Sequence, residues 1–215
     1  MKSRYLIAAI LLVVTTLIVS AMLYSSLPER VPTHWNIRGQ VDGYGPRGSI
    51  FIMPGAMAAL LVIFWVVLPA LSPKSYSVES FRATYDYLMF CVLAFMAYLW
   101  GVILWSSLRG PLDPGRGLIG GMCVFLILIG NVMGKVRRNF WFGVRTPWTL
   151  ADERVWNATH RLAGWTFVLG GLAGLLSVWL GLNIVACFIP IAAPALVTVI
   201  YSLVYYKRLE RRGEL

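Results

Sequence analysis

Residues 131–164 read NVMGKVRRNFWFGVRTPWTLADERVWNATHRLAG, and how this stretch is read decides the fold. It packs Lys135, Arg137, Arg138, Arg145, Arg154 and Arg161 among Phe140, Trp141, Phe142, Trp148 and Trp156, between segments that are almost wholly apolar. Indole rings favour the lipid–water boundary and cations favour phosphate, so the mixture marks a loop lying against a membrane surface. Thr149 to Asp152 reads as a capping box that starts a helix beyond Pro147. That helix carries Glu153, Asn157, His160 and Gly164 on one stripe, because they recur at helical spacing.

Working outward, a chain of 215 residues that is 59% hydrophobic and 13% charged reads as an integral membrane protein. Apolar runs at about 5–24, 50–71, 85–107, 118–134, 162–181 and 184–206 predict an all-α protein with six transmembrane helices. Val19-Ser20-Ala21 resembles a signal-peptide cleavage site, but the first run is long enough to span and is expected to be retained. With the N-terminus inside, all of the 19 Lys and Arg except Arg30, Arg38, Arg47, Arg109 and Arg116 fall on the inner side. Both termini are therefore expected to be cytoplasmic. The net charge of +10 then records topology rather than a nucleic-acid partner. Cys91, Cys123 and Cys187 lie inside apolar runs, with neither metal-ligand spacing nor a disulfide framework, and read as packing residues. Gly117/Gly121, Gly130/Gly134 and Gly170/Gly174 allow close helix approach within one bundle. Pro54, Pro69, Pro190 and Pro194 are expected to bend or break the second and sixth helices. The organisation predicted is a two-helix unit over 1–72, a third helix with its flanks over 73–114, and a C-terminal domain over 115–215.

The longest outer connection spans 27–49. Val31 to Ile37 alternates as a short strand, and Gly39 and Asp42-Gly43 supply turns, which predicts a small extracellular hairpin. His34, Asn36 and Asp42 are expected to hold it by hydrogen bonds, since one His and one Asp are too few for a metal site. Trp35, Trp141, Trp148 and Trp156, in or beside loops, read as interface anchors.

Two stretches resemble a known family. Gly143-Val144-Arg145-Thr146-Pro147-Trp148-Thr149-Leu150, then Val155-Trp156 and Thr159-His160-Arg161, are similar to the SdpI family of bacterial membrane proteins. That family takes its name from an immunity protein against a sporulation-delaying, membrane-active toxin. Leu27-Pro28 through Gly45, with His34-Trp35-Asn36, Gly39 and Asp42-Gly43-Tyr44-Gly45, resembles the uncharacterised domain often found at the family's N-terminus. The resemblance implies a multi-pass protein of the bacterial cytoplasmic membrane that protects its host from a toxic peptide. It further implies a receptor that, with toxin bound, holds a small helix-turn-helix repressor at the membrane.

On the inner side the residues expected to bind or couple are Asn131, Lys135, Asn139, Gly143, Arg145, Thr146, Pro147, Trp148, Glu153, Trp156, His160 and Arg161. On the outer side they are His34, Trp35, Asn36, Gly39, Asp42, Gly43 and Tyr44. The expected partners are a toxic peptide or other outside signal, a cytoplasmic repressor and membrane lipids, with no direct nucleic-acid contact and no cofactor.

Two other function classes are weighed against immunity and signalling. A membrane enzyme acting on a lipid-linked substrate could use Lys135, Arg145 and Arg161 for phosphate, and His160 with Glu153 or Asp152 for protons, with Asp86 and Arg82 nearby. No set of nucleophile, base and orienting group is visible, so no catalytic residue is assigned. A transporter or lipid-handling protein would want ionisable groups deep in the spans, and no Lys, Arg or Glu falls mid-run.

Overall fold

The computed structural model describes residues 3–36, 40–110 and 114–215, apart from the side chains of 114–116. It is a helical bundle with one small sheet. In chain order it comprises α1 (Arg4–Leu23), β1 (Arg30–Trp35), β2 (Val41–Pro46), α2 (Ile52–Val62), α3 (Leu68–Leu71), α4 (Arg82–Arg109), α5 (Pro114–Met133), α6 (Pro147–Ala151), α7 (Glu153–Trp179) and α8 (Ile184–Arg211). Among the described residues, five segments are long and apolar enough to cross a membrane: Arg4–Ser26, Arg47–Leu71, Lys74–Arg109, Glu153–Trp179 and Ile184–Arg211. A shorter apolar helix, Gly117–Met133, lies in α5. The expectation of six spans is thus met by five on length and hydropathy.

These helices are apolar on their outer faces as well as toward the bundle. On α1, Ala9, Val13, Thr16 and Ser20 form the buried stripe at helical spacing, whereas Ile7, Leu11, Val14, Ile18 and Met22 are exposed. A soluble helix would carry polar residues there, so the outer surface is built for lipid. Two buried hydroxyls of α1 are returned to the chain. Thr16 donates to the Val13 carbonyl and Ser20 to that of Thr16. Ser20 Oγ also accepts the Trp100 indole N–H at 3.1 Å, which pins α1 to α4.

The prolines act unequally. Before Pro69 the helix widens into a π turn at Ile63–Val67, which absorbs the backbone group that proline cannot satisfy. Helix α8 is not broken at Pro190 or Pro194. Gly170 packs there against the Pro190 carbonyl and the Pro194 ring, so α7 covers the interrupted ladder. The glycines of α5 and α7 also bring backbones together: a Cβ on Gly164 would lie 3.2 Å from the Gly130 carbonyl, and one on Gly171 2.6 Å from that of Cys123. The three cysteines are buried and free.

The hairpin and residues 131–164 sit at opposite ends of the bundle. Leu27 and Val31 bury against Ile50 and Trp100, toward the end of α4. The segment preceding α4 meets the motif instead, because the Trp141 indole N–H donates to Ser72 Oγ at 2.7 Å and the Tyr76 ring lies 4.3 Å from that of Phe140, tilted by 49°. The start of α1 joins that end through Tyr5, whose ring lies 5.5 Å from that of Tyr87. The end of α8 joins it through Arg154, which donates to the Glu214 carbonyl.

Candidate functional site

The motif is a compact knot rather than a loop spread on a surface. Asn139 is its first clamp and is fully buried. Its Oδ1 accepts from the backbone N–H groups of Trp141 and Phe142, both at 2.8 Å. Its Nδ2 donates to the carbonyls of Arg137 (2.8 Å) and Phe142 (3.0 Å). One side chain thus satisfies four backbone groups of an irregular segment, which is how a buried loop avoids stranded donors.

His160 and Trp156 form the second clamp, both with 0% exposure. One turn apart on α7, their rings stack at 4.0 Å and 18°. The Trp156 indole N–H donates to the Val136 carbonyl at 2.8 Å. His160 Nε2 accepts the Val144 N–H at 3.0 Å, so Nδ1 carries the proton and donates to the Trp156 carbonyl at 2.8 Å. Both ring nitrogens are engaged by backbone, leaving none for moving a proton to a substrate. Gly143 makes this approach possible: its φ is +113°, and a Cβ there would run into Nε2.

The helix start differs from the sequence-based expectation. Thr149 to Asp152 is not the capping box. Thr146 is the N-cap of α6, and it exchanges bonds with Thr149: the Thr149 N–H reaches Thr146 Oγ1 at 3.2 Å, and the Thr146 N–H reaches Thr149 Oγ1 at 2.9 Å. The reason is Pro147, which fits the first helical position and moves the start forward by three residues. Thr146 Oγ1 also lies 3.0 Å from Ser202 Oγ, joining the knot to α8. Asp152 then caps α7, accepting from the Arg154 N–H at 2.8 Å and the Val155 N–H at 3.3 Å.

The Arg154 guanidinium, with those two backbone donors, holds the Asp152 carboxyl below an aspartate's ordinary 3.8. The ionised cap therefore stabilises α7 fully above about pH 4, and that contribution is lost as pH falls through the lowered value. Asp152→Ala is expected to cost about 1 kcal/mol at neutral pH. Asp152→Asn is expected to keep the cap while flattening the acid limb of a stability-against-pH curve measured in detergent. An unchanged acid limb would show that another carboxyl sets it.

The expected inner-side residues separate into two groups. Asn139, Gly143, Thr146, Trp156 and His160 build the knot; Pro147 opens α6 and Trp148 is half-buried upon it. The placement of Trp156 corrects its reading as an interface anchor, because its indole is spent inside the protein. Asn131, Lys135, Arg145, Glu153 and Arg161 are exposed. The helical stripe from Glu153 to Gly164 runs from open surface into the α5 contact. Asp86 stands in its own chain, with Arg82 bridging it at 2.8 Å and Glu79 at 2.7 Å. Sequence reasoning missed Ser72, Tyr76, Val136 and Ser202 as partners of the knot; only Ser202, one turn after Thr198 in an apolar run, carried a local signal.

At the other end β1 and β2 pair antiparallel, with His34 opposite Gly43 and Trp35 opposite Val41. Asp42-Gly43 therefore lies within β2 and does not form a turn. A Cβ on Gly43 would come 2.8 Å from that of His34, so glycine is what lets the strands close. His34 Nδ1 meets Asp42 Oδ1 at 2.5 Å, with the His34 side chain 71% exposed. Asn36 closes the loop by accepting the Gln40 N–H at 3.1 Å. Tyr44 is exposed, whereas the Trp35 indole N–H is buried without a hydrogen-bond partner among the described residues. Gly39 lies outside the described residues. Among the described residues no three His, Cys, Asp or Glu side chains converge.

With this geometry in view, comparison with known proteins decides the family. The chain is 30% identical over 205 residues to the "Immunity protein SdpI" of Bacillus subtilis (strain 168), covering 94% of this chain and 96% of that one. The chain belongs to the SdpI/YfhL protein family. The family's own profile matches residues 135–206, which contain the knot from Lys135 onward and most of α7 and α8. A domain of unknown function, DUF1648, matches residues 11–58, which contain the hairpin. No solved structure matches. With its apolar helices, this SdpI-family chain is a multi-pass protein of the bacterial plasma membrane.

Proposed function

We propose that this protein gives its host immunity to a membrane-active peptide toxin, by recognition and signalling rather than by catalysis. The observation that carries the reading is the similarity to an immunity protein along nearly the whole of both chains. The position of His160 supports the non-enzymatic part, since backbone occupies both of its ring nitrogens.

In this reading α5 crosses as a sixth span, since its 20 residues reach about 30 Å. The knot and both termini face the cytoplasm, in keeping with the excess of cations at that end. The hairpin faces outward, where Tyr44, His34 and Asp42 meet the peptide. Inside, Arg145 and Lys135 stand exposed on a rigid base and offer charge to an acidic surface of a cytoplasmic repressor. For binding outside to be felt inside, the peptide must favour one bundle arrangement over another. The pinning of α4 at both ends, by Trp100 near the hairpin and by the segment before it at the knot, supports such a route.

Expression in a bacterium sensitive to the sporulation-delaying peptide is expected to raise survival. Arg145→Ala, and separately the His34→Ala, Asp42→Ala pair, are expected to reduce protection at unchanged membrane levels. Undiminished killing despite normal insertion of the wild-type chain would overturn the reading.

A further inference from the structure

We propose that the groove between α5 and α7 at the knot end is a seat for the headgroup of one anionic phospholipid. The groove has a volume of about 310 Å³ and is lined by Gly130, Asn131, Gly134, Arg161, Gly164, Trp165 and Val168. That volume is at the small end of ligand pockets, which suits a headgroup rather than a whole lipid.

Its chemistry is graded along the helix axes. Arg161 and Gly134 stand at the knot end, where the Arg161 stem lies over Gly134 with Cγ 3.7 Å from the position of a Cβ. Val168 and Gly130 lie deeper, about 10 Å along α7 from Arg161 at 1.5 Å per residue. A bilayer runs the same way, from phosphate to hydrocarbon. The polar end has charge to offer, because Arg161 is exposed and forms no ion pair or hydrogen bond among the described residues. Nor does Asn131, one turn of α5 from Gly134, use its amide among the described residues. A guanidinium and an amide lining one groove match a phosphodiester, the first by charge-assisted bonds and the second as donor.

The apolar end is open to lipid. Trp165 is 72% exposed beside the groove, and an indole at headgroup depth is where membrane proteins place one. The glycines keep the floor low: a side chain at Gly164 would push into the Gly130 carbonyl, and one at Gly130 into Phe167 and Val168. The seat is independent of whichever toxin the hairpin meets.

The test is native mass spectrometry of the full chain in mild detergent, titrated with phosphatidylglycerol or phosphatidylcholine. The wild type is expected to retain one phosphatidylglycerol about tenfold more tightly than phosphatidylcholine. Arg161→Gln and Asn131→Leu, both at exposed positions, are expected to remove that preference. Arg208→Gln, a cation on α8 outside the groove, is expected to leave it intact. Retention by Arg161→Gln equal to wild type would overturn the proposal, as would an equal loss in Arg208→Gln, which would mean diffuse surface charge. Displacement of the lipid by excess inorganic phosphate would assign the groove to a free anion and overturn it too.

Discussion

Trp156→Ala is expected to cost about 3–5 kcal/mol, the loss that follows truncation of a large, fully buried ring. Three contributions meet at this residue: the ring's own burial, its stack on His160 at 4.0 Å, and the bond from its indole to the Val136 carbonyl. Removing it leaves that carbonyl unpaired and His160 without a wall, so the Val144 bond weakens as well. In detergent the loss should appear as a drop of roughly 10 °C in the midpoint of helix unfolding followed by circular dichroism. Trp156→Phe keeps a ring against His160 and gives up only the donor, and should cost about 1 kcal/mol. If both variants melt with the wild type, the knot is not held from α7.

Gly143→Ala is the second large effect, expected at about 3 kcal/mol. A side chain at φ +113° carries about 1–2 kcal/mol of backbone strain. The added methyl also meets His160 Nε2, which removes the bond from Val144, worth about 1 kcal/mol. Strain and collision can be separated. In a His160→Ala background the collision is gone and only strain is left, so Gly143→Ala should cost about 1–2 kcal/mol less there. Full additivity would place the effect of Gly143 in its backbone alone. Because Asn139 orders the same residues from the other side, function should fall with stability in both single variants while membrane insertion persists.

Much of this architecture is legible in the chain. Apolar runs with charges confined to the gaps yield the helices, since bilayer thickness imposes a length that periodicity alone would not. The hairpin was expected from alternation at Val31 to Ile37, and the motif from its density of unusual residues. What escaped follows from long-range partners. Asp42-Gly43 resembles a turn by composition, yet it is drawn into β2 because Gly43 must sit against His34. Trp156 resembles an interface anchor by position in sequence, yet its indole finds the Val136 carbonyl inside. Thr149 resembles an N-cap, but Pro147 fits the first helical position so well that Thr146 takes that role. α8 holds through two prolines because Gly170 of α7 covers the gap, a compensation that no window within one helix reveals. Among the candidate residues, the sequence marks which are unusual without separating those that brace the knot from those, such as Arg145 and Arg161, left facing outward.

The bond from Trp141 to Ser72 and the ring contact of Phe140 with Tyr76 bear on how such chains can be recombined. The family's characteristic segment begins at residue 135, yet a strap at Ser72 and Tyr76, far upstream, closes over it. A chimera that grafts this segment onto a foreign front half must therefore import residues 72–76 with it. Without them the indole and the phenyl ring would be left uncovered at the aqueous rim. The connector before α4 is thus part of the packing of this segment rather than a spacer.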